Sequence, residues 1–390
     1  MILSCGYGSD NDIELNNPKE LDKKIIAAPF LVGAERTNQY VSALEGKKVG
    51  IVGNQSSLIE KTHLVDSLVS LGIDVQRVFS PEHGFRGTAD AGEIVANGKD
   101  VKTGLPVISL YGSNKKPTKE QLVGLDIMVF DIQDVGVRFY TYISTLHYIM
   151  EACAEAGIPL ILLDRPNPNG HYVDGPVLEL AYKSFVGMHQ VPIVYGMTIG
   201  EYGQMINGEK WLKNDVECDL TVIACQNYWR EMHYSLPVAP SPNLRSDVSI
   251  QLYPGLCLLE ATTVSVGRGT DGPFERYGHP GFPKTEFSFT PESGPGSKNP
   301  KLKGRLCHGY NLNNDSNKRV SKFDLSLLLN ASKLLKGKTF IDRQKAFNGL
   351  AGNSALAKQL AAGTSEETIR ASWKEDLDKF KIMREKYLLY

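Results

Sequence analysis

Short apolar runs alternate along the first two hundred residues with stretches whose apolar positions recur every three or four residues. Lys48-Val49-Gly50-Ile51-Val52-Gly53-Asn54 reads as a strand, as do Val75–Phe79, Pro106–Gly112, Ile127–Asp131 and Pro159–Asp164. Ile127-Met128-Val129-Phe130 is continuously apolar, the pattern of a strand buried on both faces. Between the strands lie helical spacings. Thr37 to Leu44 is one, and His63 to Leu71 presents Leu64, Leu68 and Leu71 on one face before Gly72 stops it. Thr118 is placed to cap a helix over 119–123, and Tyr142 to Ala156 ends at Gly157. Strands alternating with helices over short connections predict an open, mostly parallel α/β sheet. Ligands bind such sheets beyond the carboxyl ends of the strands. Those ends carry Asn54, then Ser80 with Glu82 and His83, then Tyr111, then Asp131 with Gln133 and Asp134, then Asp164 with Arg165 and Asn167.

The pattern changes near 236–246, where Leu236-Pro237-Val238-Ala239-Pro240-Ser241-Pro242 carries three prolines and no periodicity. This predicts a loose tail over 1–24, an α/β domain over 25–238 and a smaller α+β domain over 239–390 that closes the cleft. In the second unit Thr262–Val266 is strand-like, Phe323 to Leu335 is an amphipathic helix, and Trp373, Leu377, Phe380 and Met383 form a final apolar stripe. The net charge of −1 excludes a global field for nucleic acid or anionic membrane. No Gly-x-Gly-x-x-Gly or Walker loop follows the first strand, so a dinucleotide cofactor is not expected. The six cysteines show no zinc spacing. Met1-Ile2-Leu3-Ser4-Cys5-Gly6 looks like the end of a bacterial lipoprotein signal. On that reading Cys5 carries a lipid, and the protein is a periplasmic or outer-membrane-associated lipoprotein; otherwise it is secreted or cytoplasmic.

Ser80-Pro81-Glu82-His83-Gly84-Phe85-Arg86-Gly87 holds a carboxylate, an imidazole and a guanidinium between bend-forming glycines. A carboxylic acid in a partly apolar cleft keeps its proton and can donate it to a leaving oxygen. Glu82 is the leading candidate, with Phe85 as its apolar wall and His83 to orient it. Asp131 to Tyr142 (DIQDVGVRFYTY) is the densest polar cluster. Asp131 and Asp134 are candidate acid/base or metal groups, and Arg138 suits a bidentate grip on a substrate carboxylate. Arg165 and Asn167 sit in a loop stiffened by two prolines. Asn54, Arg86, Tyr142, Arg268 and Glu275 complete the candidate substrate-binding set. Each has a plain structural alternative: an ion pair that locks a loop, or a turn former.

Seven segments resemble the NamZ-type exo-β-N-acetylmuramidases, a bacterial family formerly known only as a domain of unknown function. They are Ser80–Gly87 (SPEHGFRG), Asp131–Tyr142, Leu163–Gly170 (LDRPNPNG), Asp174–Pro176 (DGP), Ser241–Leu244 (SPNL), Tyr253–Leu256 (YPGL) and Val266–Glu275 (VGRGTDGPFE), with a matching ending from Trp373 to Tyr390. The segment Tyr277–Phe282 departs from the expected Trp-containing pattern. The resemblance implies a Rossmann-like domain with a smaller C-terminal domain, no cofactor, and release of N-acetylmuramic acid from the non-reducing end of peptidoglycan fragments. The partners it implies are muropeptides or MurNAc-GlcNAc fragments. The family's catalytic glutamate falls on Glu82. The second catalytic group stays open among Asp131, Asp134, Glu275, a Tyr140 nucleophile and the sugar's own acetamido group. Arg138, Arg165 or Arg268 is expected on the lactyl carboxylate. Two other readings compete: a metal-dependent hydrolase using His83, Asp131 and Asp134, and a non-catalytic cell-wall sugar-binding lipoprotein.

Overall fold

The computed structural model describes residues 29–82, 84–86, 97–313 and 319–390. Cys5, the segment 1–24 and His83 lie outside the described residues. The strands are β1 (Lys48–Gly53), β2 (Leu58–Ile59), β3 (Thr62–His63), β4 (Asp74–Ser80), β5 (Gly98–Lys99), β6 (Pro106–Ser109), β7 (Ile127–Asp131), β8 (Leu160–Leu163), β9 (Leu220–Ile223), β10 (Arg276–His279), β11 (Phe287–Phe289) and β12 (Cys307–Asn311). Seven of them form one sheet in the order β5-β6-β4-β1-β7-β8-β9. All neighbours are parallel except the edge pair β5–β6. Leaving out β5, the chain builds outward from β1 through β4 to β6. It then returns to the other side of β1 for β7, β8 and β9. That is the doubly wound order whose crevice lies where the direction reverses, beside β1.

Both sheet faces are covered, and side chains alternate between them. Val49 and Ile51 of β1, Ile127 and Val129 of β7, and Ile161 and Leu163 of β8 pack on one side with Leu64, Val65, Leu68 and Tyr40. Val52, Met128, Phe130, Leu160 and Leu162 face the other side, against the helices Tyr142–Ala156 and Ile199–Gly208. Gly50 permits close packing on that second side, since a Cβ there would stand 2.4 Å from the Met128 sulfur.

The helix and strand positions expected in the first domain hold, with shifted ends. The strand expected over 106–112 stops at Ser109, and Gly112 turns with φ 77°. Thr118 caps its helix by accepting from Gln121 N at 3.3 Å. Thr262–Val266 is not a strand; Ser265 makes an isolated bridge to Gly278. The smaller C-terminal domain carries the antiparallel sheet β10-β12-β11 and a set of helices. Trp373, Leu377 and Phe380 are buried in it. Its last residues return to the first domain. Tyr390 donates its hydroxyl to Asp164 at 2.8 Å, and Arg370 pairs with Asp174 at 2.8 Å.

Candidate active site

The carboxyl end of β4 runs into Pro81, which ends the ladder. Gly84 then turns back with φ 77°, its N–H donating to the Pro81 carbonyl at 3.2 Å. This turn sets Glu82 in a cavity of about 260 Å³. Tyr111, just beyond β6, and Tyr140 and Tyr142, beyond β7, form the sheet side. Ser241, Leu244, Tyr253, Arg268 and Phe274 form the facing wall. The site therefore lies between the crevice of the parallel sheet and the segments that follow the proline-rich crossover.

Among the described residues, Glu82 is the only carboxylate that lines this cavity. It hydrogen-bonds the Tyr111 hydroxyl. Burial, then the Glu82 charge and that bond, push the Tyr111 pKa up to about 12. Burial and the same charge raise Tyr142. The wall around the acid is aromatic. Tyr140 meets Tyr142 edge-on at 4.9 Å, Phe139 meets Tyr253 at 5.4 Å, and Tyr253 meets Phe274 at 5.1 Å. Arg268 stands over the Phe274 ring at 5.0 Å. Its Nε and Nη2 grip Glu260 at 2.6 and 3.0 Å, and its Nη1 makes no hydrogen bond among the described residues.

Of the residues expected from sequence, the structure brings Glu82, Tyr140, Tyr142 and Arg268 together. Asn54 stands one step behind them. It donates from Nδ2 to the Tyr142 hydroxyl at 2.9 Å, while Oδ1 accepts from Ser56. It positions a wall residue instead of touching the cavity. Tyr140 donates its hydroxyl to the Pro240 carbonyl at 2.7 Å, and burial holds its pKa well above the ordinary value. Both facts disfavour a nucleophilic phenolate.

The other polar residues at the strand ends knit the loops. Asp131 and Arg165 form a fully buried bidentate pair at 2.6 and 2.8 Å, and Arg165 also donates to Leu58 O at 2.8 Å. Arg165 is thus placed away from a substrate carboxylate. Asp134 accepts from the Tyr195 hydroxyl and from Gly136 N, the latter at 2.7 Å. Burial lifts its pKa to about 6 against those hydrogen bonds. Arg138 is wholly buried and donates to the carbonyls of Pro176, Val191 and Leu350, each at 2.8 Å. It has no carboxylate partner among the described residues, and burial depresses its pKa to about 9. It ties three segments together and does not reach the cavity.

Asn167 donates to Met197 O at 2.7 Å and packs on Gly136, where a Cβ would collide with its amide at 2.2 Å. Glu275 accepts from Ser246 Oγ and from Asn313 Nδ2, the latter at 2.9 Å, and so braces a helix start. Arg86 binds Asp100 at 2.8 Å and Asp66 at 3.1 Å. Phe85 packs with His63 in the core on the sheet's other face, at 4.6 Å, so it is not the wall of the acid. Asp131 and Asp134 are each committed to other partners, and no group of three possible metal ligands occurs among the described residues. Tyr277 and Phe282 are buried in the C-terminal core and do not line the cavity.

Tyr111, noted in sequence only as a strand-end group, and Phe139, Tyr253 and Phe274 are aromatic wall residues to which sequence reasoning gave no site role. Their aromatic character alone does not separate a sugar platform from core packing. Their neighbourhoods did stand out, since Tyr253 opens YPGL and Phe274 closes GRGTDGPF.

Comparison with known proteins agrees with this architecture. The model described as "Exo-beta-N-acetylmuramidase NamZ, N-terminal" matches residues 49–248, and its C-terminal counterpart matches 251–390. A curated relative, the peptidoglycan beta-N-acetylmuramidase NamZ of Bacillus subtilis (strain 168), is 42% identical over 379 residues. The match covers 90% of this chain and 89% of that protein. Crystal structures of two DUF1343 family proteins from Bacteroides fragilis NCTC 9343 share the fold. One is 43% identical with a TM-score of 0.84, the other 28% identical with 0.77, and both matches cover 93% of this chain and 99% of theirs. The chain belongs to the NamZ exo-β-N-acetylmuramidase family.

Proposed function

We propose that this protein releases N-acetylmuramic acid from the non-reducing end of peptidoglycan-derived fragments, with Glu82 as the general acid. The observation that carries the assignment is that Glu82 is the cavity's sole carboxylate among the described residues, set in an aromatic wall. Glu82 protonates the glycosidic oxygen as its bond to the anomeric carbon breaks. In this reading the attacking group is the sugar's acetamido oxygen, which closes a ring onto that carbon, since Asp131, Asp134 and Glu275 are held by other partners and Tyr140 donates to the Pro240 carbonyl. Ionised Glu82 then takes a proton from the water that reopens the ring. This substrate-assisted route is one of the known departures from the two-carboxylate scheme. Arg268 supplies the cation for the lactyl carboxylate, since it lines the cavity, whereas Arg138 and Arg165 do not.

A chromogenic β-N-acetylmuramide and the matching β-N-acetylglucosaminide test this reading together. Release from the muramide alone is expected. Cleavage of both would remove lactyl recognition, and cleavage of neither would sink the assignment. Glu82→Gln should lower turnover by about 10²–10⁴, the usual worth of a positioned acid. A trifluoroacetamido muramide, whose carbonyl attacks poorly, should be cleaved more slowly than the parent. A lipid on Cys5 would hold the enzyme at a membrane facing its polymer; intact-mass analysis of membrane fractions tests that.

A further inference from the structure

The cavity at Glu82 is small beside ordinary ligand pockets of ~300–1,000 Å³. A second depression of about 960 Å³ adjoins it, and the two share Phe139, Val186 and Tyr253. These three residues are a wall common to both. The outer chamber is built by both domains. Tyr182 and Lys183 come from the first domain, and Arg343 and Lys345 from the start of the helix Gln344–Ala351. Lys183, Arg343 and Lys345 are exposed, and none of them ion-pairs with a carboxylate among the described residues. The chamber's one acid among the described residues, Glu260, is already held by Nε and Nη2 of Arg268. The chamber is therefore cationic at its rim, in a chain whose net charge is only −1.

We propose that this outer chamber binds the carboxylate-bearing part of the leaving side of the substrate, beyond the bond that Glu82 protonates. The step rests on the glycosidase reading above. An enzyme that removes one terminal sugar encloses that sugar and must let the remainder of the chain run out. In peptidoglycan the next muramyl residue carries a lactyl carboxylate or an acidic stem peptide. Three exposed cations at an open rim, of which Arg343 also donates to the Glu260 carbonyl, suit such a ligand. They would draw it in by charge, with a strong dependence on salt, and would not demand one fixed geometry.

The test uses the full chain carrying Glu82→Gln, so that binding is measured without turnover. The ligands are a MurNAc-terminated tetrasaccharide with its stem peptide on the inner muramyl residue, and the same tetrasaccharide after amidase treatment. Each exposed charge is worth a factor of about two. Adding Lys183→Ala, Arg343→Ala and Lys345→Ala together should weaken the peptide-bearing ligand about tenfold by calorimetry, or ~1.4 kcal/mol. The loss for the treated ligand should be smaller, and added salt should erase the difference. Equal affinity with and without the three substitutions would overturn the proposal, as would equal losses for both ligands or no binding to the parent. Turnover of the chromogenic muramide by the wild type reports separately on the glycosidase reading.

Discussion

Asp131→Asn separates two roles that this residue could have had. In the structure Asp131 is fully buried and accepts two charge-assisted bonds from Arg165, at 2.6 and 2.8 Å. The asparagine keeps one acceptor but removes the charge, leaving the Arg165 cation buried and uncompensated. Breaking a buried pair from one side costs ~3–5 kcal/mol. Against a total stability of ~5–15 kcal/mol, that is a large fraction. Arg165→Met should cost more, because Leu58 O also loses its donor at 2.8 Å, worth another ~1–3 kcal/mol. The double variant should recover part of both losses, since no lone charge remains. Urea unfolding followed by circular dichroism measures all three. The muramide assay, run on the folded fraction, should give a KM near that of the wild type for Asp131→Asn. A raised KM or lost turnover with unchanged unfolding would refute the structural role and return Asp131 to the chemistry.

Tyr140→Phe leaves the Pro240 carbonyl without its donor, so it should lose ~1–3 kcal/mol of stability yet keep turnover within tenfold; collapse of kcat would mark Tyr140 as a nucleophile. Arg268→Lys breaks the fork on Glu260 and should raise KM for the muramide more than kcat falls. The reverse split would argue against lactyl binding. Asp164 is buried, and burial raises its pKa to about 7 despite bonds from Thr198, Gly200 and Tyr390. Its protonated form is the stable one in the fold. Its contribution is complete below the unfolded value of ~3.9 and is lost as pH climbs through about 7. Asp164→Asn should therefore gain stability relative to wild type as pH rises across that window, by up to ~1.4 kcal/mol per unit, in melting curves taken at each pH. A constant difference across the window would remove the titration argument.

Local pattern was enough for the parallel sheet. The runs Ile127–Phe130 and Leu160–Leu163 have no polar face, so they fit only strands covered on both sides. The turn at Gly84 was legible on a different ground, because a positive φ favours glycine. The edge strand β9 was not assigned from pattern, since Leu220–Ile223 is half-exposed and carries a weaker signal.

What pattern could not decide was which strand-end polar groups face the cleft and which face one another. Asp131, Arg165, Arg138 and Asn167 look as chemical in sequence as Glu82 does. Whether an arginine meets a substrate or a backbone carbonyl depends on segments far along the chain. Arg138 meets Leu350, for example, and Asp174 meets Arg370. The cavity wall is likewise a product of tertiary structure. Tyr140 and Tyr142 are local to β7, but Tyr253, Arg268 and Phe274 come from beyond the crossover. Backbone propensity and burial are nearest-neighbour properties that a sequence carries within a few residues. The pairing of charges across hundreds of residues is settled only when the low-dielectric interior forces each buried polar group to find its partner.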